Sequence, residues 1–177
     1  MANGNNVRDQ LAVSATIGVT DNPVVTILNG LLGAVWRAYA QHQAHIALIE
    51  AKGLHGLADA MRVHTADEPV TIRALLNRLV DLDGTPAFTI EVPAIGVTVR
   101  EILDNDMGLQ RHTRPKLNAA AESAGAAHDA TTRNIIEQIL ADEEQHLSWL
   151  DTEIALYETL GESLYCASRI QAQKASA

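Results

Sequence analysis

Residues 139–150 read ILADEEQHLSWL, an apolar helical pattern interrupted by ionisable residues. Positions i, i+4, i+7 and i+11 share one helical face, which here carries Ile139, Glu143, His146 and Leu150. Because that face is apolar, we expect Glu143 and His146 to point into a core. A lone buried carboxylate is costly unless it is paired or binds a metal. The pattern therefore predicts either a metal-ligand pair, or a hydrogen-bonded core histidine with a glutamate at the edge of the apolar stripe.

Apolar residues with a helical period continue along most of the chain. Asp21 or Asn22 is the expected cap of the first helix, the Thr98–Glu101 capping box fixes the start of the third, and Gly161 ends the fourth. The predicted helices span about residues 23–53, 54–82, 98–125, 129–160 and 162–172.

The segment 85–97 is rich in Val, Ile and Pro, and part of it has the pattern of a strand. A single strand has no partner in a helical chain, so a long crossover connection is predicted. We therefore expect an all-α fold, namely a four-helix bundle with a long crossover between helices two and three and a short fifth helix. The expected organisation is a flexible arm over 1–22, the bundle over 23–172 and a tail over 173–177.

Composition excludes several functions. The 177 residues carry a net charge of −9 and only 3% aromatic residues, which argues against nucleic acid as a partner. The single cysteine, Cys166, excludes an intramolecular disulfide and a cysteine-based metal cage. No apolar run reaches the roughly 18 residues of a membrane span. The N-terminus has no secretory pattern, so we expect no membrane partner and a cytoplasmic location.

Other ionisable or polar residues also lie within apolar stripes. Glu68 falls on the stripe of the second helix, with His64 four residues before it, although Pro69 permits a restarted helix in which Glu68 faces water. Gln110 is inward on the third helix, as a core amide or a weak ligand. His42 is inward on the first helix, where a hydrogen-bonded core histidine is the simpler interpretation.

Three segments carry a resemblance to the bacterioferritins of the ferritin-like superfamily, and together the similarity extends over about four-fifths of the chain. They are Leu28–Gly33, Asp83–Pro86 and Asp142–Leu150. The resemblance implies a ferritin-like bundle of the topology described above. It also implies assembly through a dimer into a large hollow shell.

The resemblance further implies a dinuclear iron site with six ligands. At the matching positions the sequence keeps Glu68, Glu143 and His146, but it has Val35, Thr71 and Gln110 in place of Glu, His and Glu. Val35 and Thr71 belong to the same half of the site, so one iron position loses both of its private ligands.

The remaining half suits a single iron, with Glu68, Glu143 and His146 as ligands and Gln110 as a neutral fourth. His42 replaces a tyrosine beside the site, where it can act as a ligand or support one. Whether His64 is a ligand is left open. The family's haem-ligating methionine is replaced by Pro69, so haem is not expected.

The resemblance thus implies an iron-binding shell, with the capacity to store iron, whose ferroxidase activity is weakened or absent. One iron per subunit is expected rather than two. The first alternative is a non-catalytic structural subunit, either in its own shell or as a hetero-oligomer with an active ferritin. The second is a protein that binds a single metal or a small molecule on the same bundle.

Overall fold

The computed structural model describes residues 22–170, and within that range it contains helices and no strand. The helices are α1 (Pro23–Ala51), α2 (His55–His64), α3 (Glu68–Asp81), α4 (Val99–Ala126) and α5 (Ala130–Arg169). Helix α1 packs against α2, α3 and α4, and α4 packs along α5. The predicted all-α four-helix bundle is confirmed. Two sets of predictions lie outside the described range. They are the arm, except Asn22, and the part of the fifth helix and tail from residue 171 onward.

Local sequence sets the helix ends. The Asn22 side chain accepts a hydrogen bond from the Val24 amide at 3.0 Å, and the Thr98–Glu101 capping box is fully formed. Gly53, just beyond α1, has a φ of 78°, a conformation that favours glycine. Gly161 has a φ of 72° and a ψ of 161°, which breaks the helical conformation inside α5. Its last turns therefore form the short terminal helix that the sequence predicts.

The second predicted helix is not continuous, which corrects the expected span of 54–82. Helix α2 ends at His64 and α3 begins at Glu68, with Pro69 in its first turn. Proline has no amide hydrogen to continue the preceding helix, but it fits the first turn of a new one. Although the helix restarts, Glu68 does not face water, because only 7% of it is exposed.

The crossover segment between α3 and α4 is extended and forms no strand, as predicted. The Asn29 side chain holds its beginning, accepting from the Ala87 amide at 2.7 Å and donating to the Thr85 carbonyl at 3.2 Å. Gly33 allows the segment to pass close to α1, since a Cβ at Gly33 would collide with the Thr89 carbonyl oxygen. These contacts place the crossover along α1.

The bundle core consists of two apolar clusters with a polar layer between them. One cluster joins the beginning of α1 to α3, the end of α4 and the beginning of α5, and it includes Leu28, Leu32, Val35, Leu75, Leu117 and Ile136. The other joins the end of α1 to α2, the beginning of α4 and the later part of α5, and it includes Ile49, Leu57, Met61, Leu103 and Leu150. Among residues 22–170, no helix is long and apolar enough to cross a bilayer.

Candidate metal centre

The polar layer between the two apolar clusters contains all five predicted site residues, together with three that sequence analysis did not select. The predicted members are His42, Glu68, Gln110, Glu143 and His146. The additional members are Gln41, His45 and Asp106. All eight are buried except Glu143, which is partly buried. Four helices therefore contribute to one internal polar site.

His42 and Glu68 form the central contact. His42 Nδ1 lies 2.6 Å from Glu68 Oε1, and His42 Nε2 lies 3.7 Å from Asp106 Oδ1. Burial alone lowers the pKa of His42, but the hydrogen bond with Glu68 and the nearby charges of Asp106, Glu68 and Glu143 raise it to about 9. Burial also raises the pKa of Glu68, although His42 opposes that shift. At neutral pH His42 is therefore a buried imidazolium in contact with Glu68.

Asp106 is the centre of a second part of the layer. Its Oδ1 accepts from Gln41 Nε2 at 2.9 Å and lies 2.8 Å from His45 Nδ1. His45 Nε2 accepts from the Gly96 amide at 2.9 Å, so the proton of a neutral His45 is on Nδ1, which donates to Asp106. Burial raises the pKa of Asp106, but these hydrogen bonds and the charge of His42 outweigh it and hold the pKa below its usual value.

Sequence analysis missed this second part, although a signal for it exists. Asp106 lies three residues after Leu103 and four before Gln110, which places it on the inward stripe of α4. Gln41 and His45 both have backbone partners in the crossover. Gln41 Oε1 accepts from the Ala94 amide at 3.0 Å, and His45 Nε2 accepts from the Gly96 amide. Since those partners are more than fifty residues away along the chain, no local pattern reveals them.

The predicted pair on α5, Glu143 and His146, also lies near His42. His146 Nδ1 accepts from Gln110 Nε2 at 3.0 Å, and its ring centroid is 5.1 Å from that of His42. Burial lowers the pKa of His146 to about 3 and raises that of Glu143 to about 7. His146 is therefore a neutral imidazole at pH 7, and its ring stacks on that of His64 with centroids 5.7 Å apart.

Four buried polar atoms of the layer have no hydrogen-bond partner among the described residues. They are Glu68 Oε2, Asp106 Oδ2, His42 Nε2 and Gln110 Oε1. The carboxylate and amide oxygens among them are donors that Fe(II), Mn(II) or Zn(II) accept, whereas His42 Nε2 carries a proton while His42 is an imidazolium. As placed, however, no three His, Cys, Asp or Glu side chains of residues 22–170 are grouped to hold a metal ion. Binding an ion through His146 Nδ1 requires the Gln110–His146 contact to open, and the predicted metal ligands stay a prediction.

The replaced positions flank this layer. Val35 is 7% exposed and belongs to the apolar cluster at the beginning of α1. Thr71 is partly buried one turn after Glu68, and Pro69 is exposed. Neither Val35 nor Thr71 supplies a carboxylate or an imidazole, so the residues present do not fit two metal ions with a full ligand set.

Comparison with known proteins gives a consistent result. The ferritin-like domain model matches residues 25–160. Bacterioferritin from Streptomyces coelicolor is 35% identical over 152 residues, which cover 85% of this chain and 91% of that protein. Bacterial ferritin from Pseudomonas aeruginosa is 32% identical over 148 residues, covering 83% and 96%.

Solved structures show the same similarity. Mycobacterium tuberculosis bacterioferritin BfrA has a TM-score of 0.81 and 30% identity, covering 85% of this chain and 96% of that one. Rhodobacter capsulatus bacterioferritin, whose structure is described as having a metal-free dinuclear site and haem iron, has a TM-score of 0.83 and 27% identity, covering 88% and 98%.

Proposed function

Because this chain belongs to the ferritin-like family, as its resemblance to bacterioferritins predicts, we propose that it is a subunit of an iron-binding shell with weak or absent ferroxidase turnover. Iron storage is the function associated with that family. The replaced positions support the reduced turnover: Val35 has no lone pair, and the Thr71 hydroxyl is a weak neutral ligand. Oxidation at a two-iron site needs both ions, because the two metals act together on the same reacting group.

The observation that carries this proposal is the contact between His42 and Glu68. The resemblance assigns Glu68 to a position between the two irons, yet here its Oε1 is 2.6 Å from a buried imidazole nitrogen. The positive charge of His42 already lies against this oxygen, so only Oε2 is left to bind iron. A cation beside the ligand repels the incoming iron, which weakens iron binding at this centre.

We expect one iron per subunit, held on the side of His146. Glu68 Oε2 and Gln110 Oε1 are buried without partners, which supports their availability as donors. Glu143 and the neutral imidazole of His146 complete the set. The nearby His42 then orients Glu68, so its part is to position a ligand rather than to bind the cargo ion.

A second candidate function is a non-catalytic structural subunit. It is favoured by the contact between Gln110 Nε2 and His146 Nδ1, at 3.0 Å. Both principal contacts in the layer then join candidate ligands to one another. Such a subunit stabilises a shell without binding iron at this centre, either alone or together with an active ferritin subunit.

The family also suggests what to expect of assembly and of haem binding. We expect a homo-oligomer that extends from a dimer to a closed shell, as the family implies. Haem bound in the family's manner is not expected, because Pro69 has no sulfur at the matching position. A hetero-oligomeric partner and a cytoplasmic location stay predictions.

Metal analysis of the purified assembly tests these proposals. The protein is loaded with Fe(II) without oxygen, freed of loosely bound ions, and its metal content per subunit is measured for wild type, Glu143→Gln and Glu144→Gln. Glu144 is the matched control, because it is an exposed neighbour that pairs with Arg114 at 2.6 Å.

We expect about one iron in wild type and Glu144→Gln, and its loss in Glu143→Gln. Two irons per subunit with fast, saturable Fe(II) oxidation would contradict the proposed function. No iron in any of the three proteins would favour the structural subunit.

A further inference from the structure

A cleft of about 440 Å³ lies between α1, α4 and the crossover segment. None of its lining residues belongs to the polar layer. Sites for small molecules are commonly clefts of roughly 300 to 1,000 Å³ with mostly apolar walls and a few polar groups. The cleft therefore has the size of a ligand site, and the proposed iron chemistry does not use it.

Small residues on both helices create the space. Gly30 and Ala34 line it from α1, and Ala119 and Ala120 line it from α4. A Cβ at Gly30 would have no heavy atom within 4 Å, so the volume beside Gly30 is empty. Larger apolar side chains form the remaining wall: Ile27, Leu31 and Leu109.

Two cations and one acid line the cleft within the described part of the chain. Arg37 and Lys116 are the cations, Glu91 is the acid, and His112 also lines the cleft. Arg37 Nη1 already pairs with Glu91 Oε2 at 2.8 Å, so the acid is neutralised within the cleft. Lys116 forms no ion pair with any residue of the described range.

The Arg37 side chain is 21% exposed, and its Nη1 is the atom paired with Glu91. Its Nε is buried and has no hydrogen-bond acceptor among residues 22–170, so a ligand in the cleft does not reach Nε as placed. The positive character of the cleft stands out in a chain with a net charge of −9, so it is a local feature rather than a property of the whole surface.

The two helices lie so that polar and apolar groups are separated along the cleft. Gln41 of α1 contacts Asp106 of α4, and Ile27 and Ala120 belong to the same apolar cluster, so the helices run antiparallel. Arg37 and His112 are therefore at one end of the cleft, and Ile27 is at the other. Lys116 lies one helical turn after His112 on α4. A ligand that matches this separation has a charged head and a hydrocarbon body.

We propose that this cleft binds a small amphipathic carboxylate, such as a medium-chain fatty acid. The carboxylate contacts Lys116, the cation of the cleft without an ion pair in the described range, and the hydrocarbon body lies against Ile27 and Leu31. A single carboxylate matches one unpaired cation, and the apolar walls exclude a heavily hydrated anion. This binding site does not involve the candidate metal ligands, so its test is independent of the test of the proposed function.

The test uses decanoate as the probe and the purified, metal-free assembly. Isothermal titration calorimetry measures binding of decanoate, of decanol as the uncharged counterpart, and of decylamine as the opposite charge. We expect saturable binding of one decanoate per subunit, with a Kd on the order of 0.1 mM or tighter, and clearly weaker binding of both counterparts.

Variants test the location. Gly30→Leu fills the empty volume and should weaken decanoate binding at least about tenfold, whereas Gly30→Ala should leave most of the cleft and change it by less than about threefold. Lys116→Glu should weaken binding about fivefold or more, and the same charge change at Lys52, outside the cleft, should have little effect. Circular dichroism and solution mass verify that each variant keeps its fold and assembly.

Three results would overturn the proposal. The first is no saturable decanoate binding below about 1 mM, which is weaker than a built site of this size should give. The second is equal binding of decanol, which removes the role of the cations. The third is unchanged binding by correctly folded Gly30→Leu, which places the ligand elsewhere.

Discussion

Replacing His42 by leucine tests the charge of the polar layer. Leucine keeps most of the volume but removes the imidazolium between Glu68 and Asp106. His42 is 1% exposed, and a rise of its pKa from 6.5 to about 9 corresponds to about 3 kcal/mol of folding free energy. Loss of one partner from a buried ion pair costs about 3 to 5 kcal/mol, which is consistent with that figure.

The pH dependence follows from the direction of this shift. Because the folded-state pKa of His42 is raised, its stabilisation is fully present below pH 6.5 and is lost as the pH rises through about 9. His42→Leu should therefore lower the unfolding free energy by about 3 kcal/mol at pH 6, and the difference from wild type should narrow as the pH rises through about 9.

Guanidinium unfolding followed by far-UV circular dichroism measures this difference. Chelator-treated wild type and variant are compared from about pH 6 to pH 9.5 at equal protein concentration, because assembly contributes to the apparent stability. His112→Leu is the control, since His112 is an exposed histidine on α4. Parallel pH slopes for wild type and His42→Leu, or a loss below about 1 kcal/mol at pH 6, would refute the interpretation of His42 as the internal cation.

Four further predictions address the site and the bundle. The triple variant Val35→Glu, Thr71→His and Gln110→Glu should raise the rate of Fe(II) oxidation sharply in stopped-flow absorbance, while the single variants change little; an effective single variant would contradict this. Haem supplied to the purified protein should give no stoichiometric Soret band from bis-methionine ligation, because Pro69 stands where the resemblance expects the haem-ligating methionine. Light scattering at micromolar concentration should give a mass well above 19.0 kDa, and a monomer would disprove assembly. Asp129→Ala removes the cap of α5 and a two-oxygen contact with an arginine of α3, so it should lower the unfolding free energy by about 2 kcal/mol at pH 7. Burial raises the Asp129 pKa, but its hydrogen bonds outweigh that and hold it below 3.8, so the difference from wild type should persist above that pH and narrow as the pH falls further. Denaturant midpoints at several pH values measure it.

The exposed crossover and the polar layer are connected through α1. Gln41 and His45 bind the Ala94 and Gly96 amides of the crossover, and both also contact Asp106. The crossover is thus held by the same side chains that orient one carboxylate of the layer. Substitutions at Gln41 or His45 should consequently affect crossover order and the candidate metal centre together.

Local sequence patterns were sufficient to predict most of the helices and their caps. The Thr98–Glu101 capping box, the Asn22 cap and the stop at Gly53 depend on residues within a few positions of one another, so a local pattern is sufficient. The apolar period also placed Glu68 and His146 inward, because the helical period assigns each residue to a face. For the second helix that rule was too simple, since Pro69 is compatible with both a kink and a new helix, and only the structure shows the break.

The contacts between the inward polar groups depend on how the helices pack. His42 pairs with Glu68 across 26 positions, and Asp106 accepts from Gln41 and His45, which are 65 and 61 positions away. Helical spacing defines the face of each residue, but it does not define the rotation and axial register of one helix against the next. Those are fixed by the two apolar clusters on either side of the layer. Packing therefore determines that the carboxylates meet a histidine within the bundle.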